Sequence, residues 1–329
     1  MKPKVFITRK IPEEGLEILK KEADIKVWQG ELPPPRDVLL NEVEEVDGLI
    51  PLLAEKVDKE LMDKAKHLKI ISNYAVGFDN IDVSEATRRG LMVTNTPDVL
   101  TDTTADLAFA LLLAAARRVA EGDRFVRAGK WTTWGPMLLL GKDVHGATLG
   151  LIGLGRIGWA MAKRARGFDM KVLYYNRTRK EQAEKELGIE YVELETLLKE
   201  SDFVSLHVPL NKETKHLINK ETLGMMKNTS MLVNTTRGPV VDEAALYQAL
   251  VNKEIAGAAL DVMDPEPPQG HSPLFDLDNV VIVPHIGSAS EATRAKMAVM
   301  AATNMVAGLK GEVPQHLVNK EVLRLESGQ

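Results

Sequence analysis

The sequence predicts an α/β protein with two domains, each built on a parallel sheet. Three observations carry this. The 329 residues are more than a single core usually organises. Short apolar runs alternate with helix-period segments over the first hundred residues. From Thr148 the alternation resumes with six further strand-like runs.

The elements follow in order. Val5-Phe6-Ile7 is apolar and strand-like. Pro12 to Ala23 has helical spacing, with Pro12 suited to the first turn. Ile25 to Trp28 is again strand-like, and Pro33-Pro34-Pro35 marks a loop. Arg36 to Val46 returns to helical spacing, Asp47-Gly48-Leu49-Ile50 leads a third strand, and Leu68 to Ala75 reads as a fourth. Together they form one compact α/β unit. Thr101-Asp102-Thr103-Thr104 supplies capping oxygens to a long helix expected to continue past Arg117 toward Arg127. The loop from Gly129 to Asp143 carries Trp131, Trp134 and Met137 to Leu140, an apolar surface for which a partner subunit is the expected cover. Strands are expected at Thr148–Ile152, Lys171–Tyr175, Phe203–Val208, Met231–Asn234, Ala258–Asp261 and Val280–Val283. Repeated β-α-β units favour a parallel sheet covered on both faces. Ser290 to Leu309 is a last long helix, after which Val313-Pro314 and Leu317-Val318 are expected to rejoin the first domain.

Composition narrows the function. The net charge of -5 is spread over short clusters, unlike a basic nucleic-acid footprint. Cysteine is absent, which removes disulfides, thiolate metal sites and a cysteine nucleophile. No metal site is expected. The N-terminus enters a strand directly, so no signal peptide is expected and a cytoplasmic location is the natural reading. The longest apolar stretch, Ala105 to Ala116, is too short to span a bilayer and contains Asp106.

Gly153-Leu154-Gly155-Arg156-Ile157-Gly158 is a G-x-G-x-x-G turn that follows the strand Thr148–Ile152 and opens a helix. Gly153 permits the tight turn, Gly155 lets a diphosphate approach the backbone, and Gly158 lets the helix pack on the strand. The helix's first N–H groups then face the anion. A dinucleotide is the expected ligand. About twenty residues on, where an acid usually meets the ribose 2′-hydroxyl, the chain reads Asn176-Arg177-Thr178-Arg179. Arg177 and Arg179 suit a 2′-phosphate, so NADP(H) is expected to be accepted, with NAD(H) left open.

Ligands of open α/β sheets bind beyond the carboxyl ends of the strands. The later strands end in His207-Val208-Pro209, Thr235-Thr236-Arg237-Gly238, Asp261 with Asp264-Pro265-Glu266-Pro267 after it, and Pro284-His285-Ile286-Gly287-Ser288. Arg237 can grip a carboxylate with paired hydrogen bonds. His285 can give a proton to a carbonyl oxygen as hydride arrives, with Glu266 accepting a hydrogen bond from its other ring nitrogen. The set fits a nicotinamide-dependent keto-acid reductase.

These stretches, with Asn73 to Asp82, Asn95-Thr96-Pro97 and Leu260-Asp261-Val262, resemble the D-isomer-specific 2-hydroxyacid dehydrogenase family over essentially the whole chain. Asn176 to Arg179 and Gly129 to Trp134 look most like its glyoxylate/hydroxypyruvate reductase branch. The resemblance implies two Rossmann-like domains, with a cofactor domain (99–287) inserted into a discontinuous, flavodoxin-like substrate domain (1–98 and 288–329). It implies a cleft between them that closes on substrate, and homodimers formed through a loop at 121–145. It implies Arg237, Glu266 and His285 as the catalytic three. Substrate contacts are implied for the Val76 and Gly77 amides, Arg237, Leu53 and Trp134, the last reaching the neighbouring subunit's site. The cofactor is implied to lie on Gly153 to Ile157, Asn176, Arg177, Thr178, Thr104, His207, Pro209, Thr235, Thr236, Asp261 and Gly287, with Asp261 approaching the nicotinamide amide.

The expected reaction is reduction of a small 2-keto acid to the D-2-hydroxy acid, glyoxylate to glycolate first and hydroxypyruvate to D-glycerate second. D-3-phosphoglycerate dehydrogenase is an alternative whose members often carry an additional regulatory domain. Formate dehydrogenases replace the glutamate found here as Glu266 with glutamine. An NAD(H)-sensing corepressor-like protein is the alternative from another class.

Overall fold

The computed structural model describes residues 2–326. The chain forms two compact units, one made of the chain up to Leu100 together with the chain from Ser288, the other of Thr101–Gly287.

The first unit is a five-stranded sheet of β1 (Lys4–Ile7), β2 (Asp24–Val27), β3 (Gly48–Ile50), β4 (Ile70–Ser72) and β5 (Met92–Thr94). Its order is β2-β1-β3-β4-β5, and every pairing is parallel. Parallel strands covered on both faces read as unbroken apolar runs, and β3 and β4 are buried at every residue. Phe6, Leu49, Ile71 and Val93 belong to the core on one face. On the other, the helix Glu291–Leu309 is tied down where Ser72 Oγ donates to the Ala301 carbonyl at 2.9 Å and Tyr74 Oη to that of Arg294 at 2.7 Å. Sequence reading missed β5, which has three residues. It is completed by the returning chain: Val318 N donates to Val93 O at 2.8 Å, and Val93 N to Asn319 Oδ1 at 2.8 Å. The helices Lys59–Lys64 and Val83–Arg88, each capped by an aspartate, were also unassigned from sequence. Arg36 to Val46 is shorter than expected, an α-helix over Arg36–Glu42 that tightens to a 3-10 turn over Val43–Glu45.

The second unit is a seven-stranded parallel sheet. It holds β6 (Thr148–Ile152), β7 (Lys171–Tyr175), β8 (Glu190–Tyr191), β9 (Phe203–Leu206), β10 (Met231–Asn234), β11 (Gly257–Leu260) and β12 (Val280–Ile282). The order β12-β11-β10-β9-β6-β7-β8 reverses direction between β6 and β9, the switch point at which such sheets open a ligand crevice. The edge strand β8 has two residues, too few to show a pattern in the sequence.

The expected helix from Thr101 to Arg127 is in fact two helices, Thr101–Ala116 and Val119–Arg127. Arg118 adopts a φ of +53° between them. The chain comes back to cap the first helix, Lys142 N donating to the Ala116 carbonyl at 2.8 Å, so the break leaves that carbonyl satisfied. Arg118 pairs with Glu121 at 2.6 Å. Among the described residues no helix is long and apolar enough to cross a membrane.

Candidate active site

At the end of β6, Gly153 adopts a φ of +96° and donates its N–H to the Tyr175 carbonyl at 2.9 Å. A Cβ on Gly153 would lie 2.5 Å from the His207 carbonyl oxygen, and one on Gly158 would lie 2.3 Å from that of Gly153. The turn, the helix Arg156–Arg166 and the end of β9 are therefore closed on one another as only glycine allows. A Cβ at Gly155 would meet nothing within 4 Å. The helix starts at Gly155 without a side-chain cap. That combination of open space and uncapped amides is what a diphosphate needs. Gly155 and Arg156 are exposed, Ile157 is half-buried and Leu154 is buried.

Asn176 follows β7 and joins it to the turn, its Oδ1 accepting from Leu154 N at 3.3 Å and its Nδ2 donating to the Thr178 carbonyl at 2.7 Å. The two arginines differ. Arg179 is committed to Glu184 through Nε at 2.8 Å and Nη2 at 2.7 Å. That bonding, with help from the Tyr174 hydroxyl, holds the Glu184 carboxyl down to about 2. Arg179 is thus engaged by Glu184 at the surface of this chain. Arg177 is exposed and pairs only at the surface, with Glu213 at 3.1 Å.

Beside the turn, His207 Nε2 lies 3.0 Å from Ser205 Oγ. Its Nδ1 is buried without a partner, and desolvation lowers the ring's pKa to about 4, so the ring is neutral at neutral pH. Thr235 Oγ1, after β10, is likewise buried and unpartnered. Orphaned polar atoms beside an open glycine turn fit a dinucleotide. Pro209 is exposed, its carbonyl accepting from Thr214 Oγ1 at 2.6 Å. Thr104 is buried in the first turns of its helix, close to Gly287.

The loop after β10 is folded by Asn234. Its Oδ1 accepts from Thr236 N at 3.0 Å and Thr236 Oγ1 at 2.7 Å, and its Nδ2 donates to the Arg237 carbonyl at 3.0 Å. Arg237 Nη1 donates to the Thr236 carbonyl at 2.8 Å. A Cβ on Gly238 would lie 1.9 Å from Met263 O, so this loop is pressed onto the segment that carries Glu266. That segment has cis bonds at Asp264-Pro265 and Glu266-Pro267, and Asp264 N donates to Glu243 Oε1 at 2.7 Å. Glu266 Oε1 is bonded to His285 Nδ1. With Nδ1 so engaged, Nε2 is the ring nitrogen left to face a ligand.

Asp261 is 1% exposed and works on the His285 turn. Its Oδ1 accepts from Ile286 N at 2.6 Å, its Oδ2 from Gly287 N at 2.8 Å, and its main-chain oxygen from His285 N at 2.9 Å. Burial raises its pKa, while these amides work in the opposite direction. This positioning task was not legible in the sequence.

In the first unit, Val76 and Gly77 follow β4 in a half-buried turn. Leu53 follows β3 and is among the exposed large apolar side chains. Trp134 is 78% exposed and Trp131 60% exposed, and Met137 and Leu140 beside them are exposed as well. The single chain does not cover the apolar loop. Among the described residues no cluster of three or more His, Asp or Glu side chains is arranged to hold a metal ion.

Comparison with known proteins bears on this arrangement. The profile for the D-isomer specific 2-hydroxyacid dehydrogenase NAD binding domain matches residues 109–287. A glyoxylate reductase of Thermococcus litoralis is 58% identical over 327 residues, covering 98% of both chains. One of Pyrococcus horikoshii is 57% identical over 329 residues, covering 99% of this chain and 98% of the other. Among solved structures, an NADPH-dependent glyoxylate/hydroxypyruvate reductase from Sinorhizobium meliloti, in complex with NADP and malonate, is 34% identical with a TM-score of 0.87. That match covers 98% of each chain.

Proposed function

The chain belongs to the D-isomer-specific 2-hydroxyacid dehydrogenase family, and from that premise we propose that it is an NAD(P)H-dependent glyoxylate reductase that also takes hydroxypyruvate. The observation that carries this reading is the bonded pair of His285 Nδ1 and Glu266 on the same sheet edge as the glycine turn. When bound, the reduced nicotinamide supplies a hydride to the carbonyl carbon.

The chain's own residues do the rest. The Arg237 guanidinium and the Val76 and Gly77 amides bind the substrate carboxylate and turn the keto group toward His285. His285 gives the proton on Nε2 to the carbonyl oxygen, so that hydride and proton together make the hydroxy acid. Glu266 holds the ring through Nδ1 and stabilises its charge before the transfer. In the reverse direction His285 takes the hydroxyl proton. Leu53 shapes the pocket, and Trp134 reaches the site of a neighbouring subunit. Thr104, Thr235, Thr236, His207, Pro209 and Gly287 contact the cofactor. Arg177 and Thr178 read the 2′-position, which favours NADPH over NADH.

Residues 1–98 and 288–329 serve as the substrate domain, and 99–287 as the cofactor domain. The apolar loop within 121–145 joins two copies in a homodimer, consistent with its exposed tryptophans. The enzyme is cytoplasmic on this reading.

Following NADPH oxidation with glyoxylate, hydroxypyruvate, pyruvate and phosphohydroxypyruvate tests it. Highest kcat/KM on glyoxylate supports the reading. Highest kcat/KM on phosphohydroxypyruvate makes it a phosphoglycerate dehydrogenase, and no turnover with any of the four refutes an enzymatic role.

A further inference from the structure

Sheets of the order β2-β1-β3-β4-β5 open a crevice between β1 and β3. In the first unit the chain fills that place itself. Glu55 is 3% exposed, and its Oε2 accepts from Thr8 Oγ1 at 2.9 Å and from Leu52 N at 2.7 Å. The Arg9 guanidinium stands 3.9 Å from its other oxygen. The loop after β3, which carries Leu53, is thereby fastened to the end of β1.

A second set of bonds fastens this loop to the turn after β4. Asn80 Nδ2 donates to the Leu52 carbonyl at 2.8 Å and to that of Glu55 at 3.2 Å. Its side-chain amide also pairs with that of Asn73 at 3.3 Å, and Asn73 Nδ2 donates to the Gly77 carbonyl at 2.7 Å. Asn95 Nδ2 donates to the Val76 carbonyl at 2.8 Å, and Thr96 N to that of Ala75 at 2.9 Å. A trans peptide is planar, with its N–H and C=O pointing in opposite directions. Fixing the carbonyl of Ala75 therefore aims the N–H of Val76 the other way, and fixing that of Val76 aims the N–H of Gly77. Both aimed groups are the amides assigned above to the substrate carboxylate.

We propose that Asn95, Asn73 and Asn80 are positioning residues for keto-acid binding: Asn95 aims the Gly77 amide, and the Asn73–Asn80 pair locks the Leu53 loop to the 73–77 turn. This deepens the reductase reading and rests on it. Asn95 Nδ2 donates to the Val76 peptide oxygen, so its loss lets that peptide rotate and its N–H turn away.

The test uses the full chain. For Asn95→Ala, Asn95→Asp and Asn80→Ser, KM for glyoxylate and Kd for oxamate in the presence of NADPH should each rise about tenfold. KM for NADPH and kcat should stay within about twofold. Asn80→Ser loosens the Leu53 loop and, through Asn73, the Gly77 end of the same turn, and serves where an Asn95 variant folds poorly. An unchanged KM and oxamate Kd in folded variants, or kcat and both KM values moving together, overturns the positioning role. Absence of glyoxylate turnover in the unmodified chain overturns the functional reading instead.

Discussion

Asp261 holds His285 in a left-handed backbone conformation. His285 has a φ of +52°, which costs an L-residue about 1–2 kcal/mol. Three bonds to Asp261 offset that cost, one to its main-chain oxygen and two to its carboxylate from the next two amides. Asp261→Asn keeps one acceptor oxygen and brings an NH₂ against an amide N–H. It is expected to lower kcat by about 10- to 100-fold with little change in KM for NADPH, a range corresponding to about 1.4–2.7 kcal/mol. Steady-state kinetics at saturating cofactor reads this directly, and a wild-type kcat would show that the bonds are dispensable.

Arg237 is predicted to act mainly on substrate affinity. Replacing it by Lys keeps the charge and loses the paired geometry. KM for glyoxylate should rise at least tenfold in Arg237→Lys and further in Arg237→Ala, while the Kd for NADPH from fluorescence titration should not move. Equal effects on cofactor and keto acid would place Arg237 elsewhere.

The two arginines after β7 should separate in a cofactor assay. Arg177 makes an exposed pair with Glu213, whereas Arg179 is bound to Glu184 through two of its nitrogens. Arg177→Ala should reduce kcat/KM for NADPH about tenfold or more and leave that for NADH within about twofold. Arg179→Ala should leave the NADPH to NADH ratio nearly unchanged. If Arg179 controlled the ratio instead, the ion pair with Glu184 would have to open on binding.

His207 gives a pH signature. Its pKa is lowered to about 4 in the folded chain by desolvation, while the unfolded chain takes up a proton near the ordinary histidine value of about 6.5. Acidification between those values therefore favours unfolding. The stability associated with the neutral ring is fully present above about pH 6.5 and declines toward pH 4. In thermal melts the fall in Tm over that interval should be shallower for His207→Gln than for wild type. Identical slopes would mean that His207 titrates normally in the folded chain.

Features written as local patterns were legible in the sequence. The glycine turn follows from Gly153, Gly155 and Gly158 between a strand and a helix, and the strand ends directed attention to Arg237 and His285. What escaped depends on partners distant along the chain. Asp261 owes its task to amides 25 and 26 residues away, and Asn319 completes β5 across 226 residues. Nothing in the turn of Arg179 reveals its pairing with Glu184 in the next helix. The break after Ala116 has neither glycine nor proline to announce it; it comes from a left-handed Arg118 and from Lys142 returning to cap the helix.

The role of His285 as proton donor is tested most directly by its removal. Glyoxylate-dependent NADPH oxidation should be measured for His285→Ala at saturating substrates, with NADPH binding checked by titration. A fall in kcat of about 10²–10⁴-fold, with the NADPH Kd unchanged, is the outcome expected for loss of a general acid. A variant that binds NADPH normally and keeps the wild-type kcat would contradict the assignment.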